Sequence, residues 1–242
     1  MRTSQRHHLK DNEVAIALGH ASEFAARNKR TLTMTVVSLV LVGAAAIAFF
    51  AWRNSVEAKS REALAEAMVV YEARVVPAAP GPEGVESKPA PNTYPTERAK
   101  LEAALPKFTA AADAHPSSDA GRMARFHAAS VLVSLGRYDE AMKQYDQLSG
   151  ASGLIGQSAR LGKADAQLRA GQHDAAIATF KELAEKTDSP MPKDALLLEL
   201  ARAYKVAGKN EDAKKTLNQI VEQHADSPAA AAAKQELEKI PG

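Results

Sequence analysis

A chain of 242 residues, 45% hydrophobic but only 5% aromatic, has room for one or two domains, and its long Ala-, Leu-, Glu-, Lys- and Gln-rich stretches favour helix over sheet. The lack of cysteine excludes disulfides, thiolate metal sites, a cysteine nucleophile and a lipidated N-terminal cysteine. The net charge of +2 is unevenly spread: residues 1–30 hold six Lys/Arg against three Asp/Glu, whereas residues 53–242 hold 25 against 26, which leaves no basic stripe for nucleic acid.

Residues 1–30 form a tail that ends in the amphipathic stretch LKDNEVAIALGHASEFAARNKR. Asp11 or Asn12 can cap a short helix there, with Val14, Leu18, Ala21 and Ala25 on one face and Phe24 beside it. From Thr31 to Trp52 there is no charged residue. A helix of that length spans a hydrocarbon core of about 30 Å, and Trp52 falls at the far edge, where an indole prefers the interface. Thr31, Thr33, Thr35 and Ser38 are tolerated because a hydroxyl can bond back to its own helix. A cleaved signal peptide competes with this reading, but the apolar run is longer than the usual ~7–15 residues and follows an unusually long leader.

The three cations of ARNKR at 26–30 outweigh Arg53, Lys59 and Arg61, which are interleaved with Glu57 and Glu62. The denser cationic flank stays in the cytoplasm, so the expected topology places the N-terminus inside and residues 53–242 across a bacterial inner membrane, in the periplasm.

A juxtamembrane helix is expected over 53–76, followed by an insertion at 77–95 with six prolines in 19 residues, which cannot be helical. Beyond it, residues 97–240 repeat. The stretches GRYDEAMKQYDQL, GQHDAAIATFKEL and GKNEDAKKTLNQI begin at 136, 171 and 208. Gly136, Gly171 and Gly208 supply the left-handed turn that closes a helix. Ala141, Ala176 and Ala213 let the next helix approach closely, and Tyr145, Phe180 and Leu217 follow on the same face. Leu148, Leu183 and Ile220 continue that stripe. The breaks HPSSDA, GASG, TDSP and ADSP separate units of helix, tight turn and helix.

ERAKLEAALPKFTAAADAHP at 97–116 reads as the second helix of a partial first unit, with Ala104 and Phe108 in the Ala and aromatic places; Pro106 predicts a kink or a late start. Its partner is the helix over 54–76. PAAAAAKQELEK at 228–239 makes a last helix that covers the apolar edge of the final pair.

The repeated stretches resemble the tetratricopeptide repeat, over residues 97–240. Gly136, Tyr138, Ala141 and Tyr145 carry the resemblance in the first complete unit, Gly171, Ala176 and Phe180 in the second, and Gly208, Ala213 and Leu217 in the third. Ala129, Ala164 and Ala201 match the small residue of each first helix. Asn210, Leu217 and Gln167 depart from the pattern and predict looser packing. The expected fold is therefore all-α: one N-terminal transmembrane helix followed by a tetratricopeptide-like solenoid of helical hairpins.

No H-E-x-x-H, G-x-S-x-G, P-loop or G-x-G-x-x-G pattern occurs, and the seven histidines are scattered, so no catalytic, cofactor-binding or metal-binding residue is nominated and the chain is not expected to be an enzyme. Function falls instead to the inner surface of the superhelix, lined by the first helix of each pair. By register Met123, Phe126 and Val133, then Leu161 and Leu168, then Leu198, Arg202 and Lys205 are the candidates to face a partner.

The layout of tail, span and extracytoplasmic repeats is similar to the YfgM-type ancillary subunits of the SecYEG translocon, which share a repeat-domain family with cell-division coordinators. That resemblance implies a scaffold that contacts translocon subunits, a periplasmic chaperone or exported chains. The alternatives are a periplasmic scaffold for envelope assembly or cell division, or, with the opposite topology, a cytoplasm-facing receptor.

Overall fold

The computed structural model describes residues 27–77, 91–186 and 189–240. The tail helix expected within residues 9–30 and the Pro-rich stretch lie largely outside them, as do Thr187 and Asp188 of the third break. The chain divides into two compact units, one ending at Ser55 and the other beginning at Val56.

Helix α1, Lys29–Tyr71, crosses that division. Its first part is a candidate membrane span: mean hydropathy reaches 2.4 over an 18-residue window, none of it buried. The hydroxyls that dilute its start bond within the helix, Thr33 Oγ1 donating to Lys29 O at 2.7 Å and Thr35 Oγ1 to Thr31 O at 2.9 Å.

The second unit continues from residue 56 through α2 (Glu97–Ala114), α3 (Asp119–Ser134), α4 (Tyr138–Ser149), α5 (Gly153–Arg169), α6 (His173–Glu185), α7 (Lys193–Val206), α8 (Asn210–Gln223) and α9 (Pro228–Leu237). From α2 onward each helix packs on its neighbours in the chain. Ala67 of α1 is fully buried in a core shared with Leu101, Ala104 and Phe108 of α2 and Ala124 and Ala128 of α3. Ser60 of α1 also shares a buried hydroxyl–hydroxyl hydrogen bond of 2.5 Å with Ser118, the N-cap of α3. The helix after the apolar run is thus the packing partner of α2.

Two details differ from the sequence expectation. Helix α2 starts on time, capped by Thr96, whose side chain accepts from Ala99 N at 3.1 Å, and passes through the exposed Pro106. A short parallel ladder also joins β1 (Arg74–Val75) to β2 (Thr93–Tyr94), bringing the two ends of the Pro-rich stretch side by side. Two residues per strand are too few to write a period-two pattern.

The turns inside each hairpin are built alike. Gly136, Gly171 and Gly208 have φ of 76°, 77° and 73°. In the first, Arg137 N donates to Leu132 O at 2.8 Å and Gly136 N to Val133 O at 3.0 Å, a Schellman pair that recurs at Gly171 and Gly208.

Candidate partner-binding groove

The hairpin seams fix where the inner helices sit. Ala141, Ala176 and Ala213 have no exposed surface, and Tyr145, Phe180 and Leu217 are buried beside them. On the inner helices Ala129, Ala164 and Ala201 are buried in turn. Residues three before and four after each of these alanines share a face, because seven residues make two turns. Phe126 and Val133 of α3, and Leu161 and Leu168 of α5, are all half-buried on that face. Met123, one turn before Phe126, is 42% exposed.

Phe126, Leu161 and Leu168 converge on an open cavity of about 450 Å³ that is also lined by Ser158, Gly162 and Asp165 of α5, Phe180 of α6 and Glu199 of α7. That volume lies in the range of ligand pockets. Phe126 is held from behind by Tyr145, edge to face at 5.6 Å, and the Tyr145 hydroxyl meets Ser130 Oγ at 3.1 Å. Burial pushes the Tyr145 phenol above its ordinary value, so it stays neutral. Both carboxylates at the cavity are engaged: Asp165 accepts from Arg169 and Glu199 from Arg202, at 2.8 and 2.7 Å.

The remaining candidates lie elsewhere. Leu198 is 8% exposed and belongs to the core, together with Ala229, Ala230 and Ala233 of α9. Arg202 Nε and Lys205 Nζ each donate to Glu236 of α9 at 2.7 Å. Burial works to raise the Glu236 carboxyl, but the bonds from Lys205 and Arg202 outweigh it and hold the group below its ordinary value. These two cations thus fasten the terminal helix. Gln167 is buried within reach of the Thr179 hydroxyl, at 3.5 Å.

Sequence reasoning missed Gly162, Asp165 and Glu199. Asp165 could have been found, since it falls between Leu161 and Leu168 at helical spacing. Gly162 could not, because its role depends on Tyr145 from another helix.

His127, adjacent to Phe126, stacks on Phe108 at 5.2 Å with 19° between the planes, and Tyr71 lies 6.0 Å away. Burial lowers its pKa. Among the described residues, no group of three or more His, Asp or Glu is placed to hold a metal ion.

Tetratricopeptide repeat models match residues 97–153, 126–192 and 168–237. Solved structures similar over 58% of this chain include the following two. A Podosopora anserina protein described by its nearly identical TPR-like repeats is 19% identical, with 77% of that chain covered and a TM-score of 0.49. A tetratricopeptide repeat protein from Parabacteroides merdae ATCC 43184 is 18% identical, with 54% of that chain covered and a TM-score of 0.46. No curated protein matches the chain.

Proposed function

We propose that this chain, which belongs to the tetratricopeptide-repeat family through residues 97–237, is a membrane-anchored scaffold that holds polypeptide partners in the groove along α3, α5 and α7. The observation that carries this reading is the convergence of Phe126, Leu161 and Leu168 on one open cavity. A concave, mostly apolar site with a few polar groups at its margin suits an apolar side chain of a bound segment.

The candidate span at 31–52 anchors the scaffold. The cation excess at 26–30 orients it with the repeats in the periplasm. The similarity in layout to YfgM-type translocon subunits supports a place beside the Sec machinery, where the partners are translocon subunits, a periplasmic chaperone or exported chains.

Two experiments test this. Alkaline phosphatase fused after Gly242 should be active, and an inactive fusion would reverse the topology. A photo-crosslinking residue in place of Leu168, activated in native membranes, should capture translocon subunits, a chaperone or exported chains. Capture of envelope-division proteins would move the scaffold to that machinery instead, and capture of no protein would overturn the groove as a binding site.

A further inference from the structure

Helices α3, α5 and α7 each pack against the helix before and the helix after. The notch between those two flanking helices is filled differently each time. In the first notch Arg125 of α3 is buried and bridges both walls, donating to Asp113 of α2 and to Gln144 of α4 at 2.8 Å each. In the second, Lys163 of α5 donates to Asp146 of α4 at 2.6 Å, and Gln167 accepts from Thr179 of α6 at 3.5 Å.

The third notch lacks these fillers. Counted back from Gly136, Gly171 and Gly208, Arg125 corresponds to Leu197 and Lys163 to Leu200. Neither leucine has a head group to reach across. Lys181 follows Phe180 where Asp146 follows Tyr145, so a cation stands where the second notch has its carboxylate. What remains is an open cavity of about 410 Å³ between α6, α7 and α8. It lies on a different face of α7 from Leu198, Arg202 and Lys205, and so apart from the groove.

The floor of this cavity is built from buried residues: Ala184, Leu197 and Leu200, with Tyr204 and Thr216 adding hydroxyls. Thr216 Oγ1 donates to Asp212 O at 2.8 Å, which leaves its oxygen able to accept. Five exposed charged side chains surround the floor. Lys181 lies over the Tyr204 ring, 5.5 Å from its centroid, and the phenol, with smaller help from Asp212 and Glu185, holds the ammonium above its ordinary value. Glu185 and Lys193 flank the break where α7 begins, whereas Asp212 and Lys215 lie in the first turns of α8, where α7 has ended. Among the described residues none of these four is in an ion pair. Each end of the notch therefore offers one cation and one carboxylate.

A ligand of a single charge meets a like charge at whichever end it enters. A ligand with opposite charges at its two ends finds a counter-charge in either direction. From Leu197 to Tyr204 is seven residues, about 10 Å of helix. Three extended residues also span about 10 Å.

We infer that this notch is a second site, distinct from the groove, and that it takes a free, zwitterionic tripeptide with aliphatic side chains. The side chains lie on Leu197 and Leu200. The terminal carboxylate meets Lys193 or Lys215, and the terminal ammonium meets the carboxylate at the opposite end, Asp212 or Glu185. Because both termini are recognised, the site takes a small molecule and not a segment of a longer chain.

The test is calorimetric titration of the full chain in lipid nanodiscs with the tripeptide Leu-Ala-Leu. One peptide should bind per chain, and the N-acetylated, C-amidated form should bind about fivefold more weakly, the effect of losing two exposed charge pairs. Amidating the C-terminus alone should weaken binding to the wild type about threefold and make no further difference to the double variant Lys193→Gln, Lys215→Gln, whose exposed changes spare the core. Leu197→Arg, which restores the filler of the first notch, should abolish binding. Absence of binding to the wild type at millimolar peptide would overturn the site. Equal binding of the blocked and free peptides would overturn the zwitterionic ligand. An amidation effect as large in the double variant as in the wild type, or wild-type affinity in a folded Leu197→Arg protein, would place the peptide outside the notch and overturn the assignment.

Discussion

Gly162 of α5 and Tyr145 of α4 are in such close contact that a Cβ on Gly162 would stand 2.4 Å from Cζ of the tyrosine ring. The ring has little freedom to retreat, being 3% exposed and hydrogen-bonded to Ser130. Tyr145 in turn backs Phe126, so this glycine sets the floor of the groove. Gly162→Ala should destabilise the fold by about 1–3 kcal/mol through overpacking. Thermal melting of the full chain in detergent measures it; an unchanged midpoint would show that Tyr145 is not confined as described.

Ala176 makes the same argument at a hairpin seam, where it has no exposed surface. Ala176→Leu adds a branched side chain between α5 and α6 and should cost about 1–3 kcal/mol. A melting temperature equal to that of the wild type would displace Ala176 from the seam.

His127 supplies a pH dependence. Its folded pKa is lowered by burial, so the neutral form is the one the fold favours. The associated stability is fully present above the unfolded value, near about 6.5, and is lost as pH falls through the folded value. His127→Phe keeps a ring against Phe108 and removes the titration. Between about pH 7.5 and 5 the variant should lose less melting temperature than the wild type. Parallel curves would mean that His127 protonates as easily folded as unfolded.

Glu236 is the acidic counterpart. Its folded pKa is lowered by Lys205 and Arg202 against the opposing effect of burial. The stability it contributes is present above the unfolded carboxylate value and is lost as pH falls through the folded one. Glu236→Gln should cost about 1 kcal/mol at neutral pH, kept small because both cations are partly exposed. The difference from wild type should vanish in acid. A difference that persists there would point to lost packing instead.

What could be read in the sequence is what chemistry makes local. Gly136, Gly171 and Gly208 announce their turns because few other residues accept positive φ, and the alanines five residues on follow from helical spacing. The inner face was legible as a register but not as a surface. Phe126, Leu161 and Leu198 occupy equivalent positions, yet Leu198 shares its core with α9 while the other two line a cavity. Arg202 and Lys205 looked available because their partner, Glu236, lies 34 and 31 residues away. The contact between Gly162 and Tyr145 depends on two helices meeting, which no single-helix pattern records.

The central claim is that the inner face binds polypeptide partners through apolar anchors, and Phe126 is the largest of them on the cavity. The most direct measurement compares partner crosslinking by Phe126→Ala with that of the surface variant Lys186→Ala, whose side chain is paired only within its own helix region, with Glu182 at 2.9 Å. Truncating an anchoring aromatic typically costs ~2 kcal/mol or more, about thirtyfold in affinity. Phe126→Ala should lose crosslinking by about that factor while its melting temperature stays within a few degrees of wild type, and Lys186→Ala should lose none. Wild-type crosslinking by a stably folded Phe126→Ala protein would contradict the account.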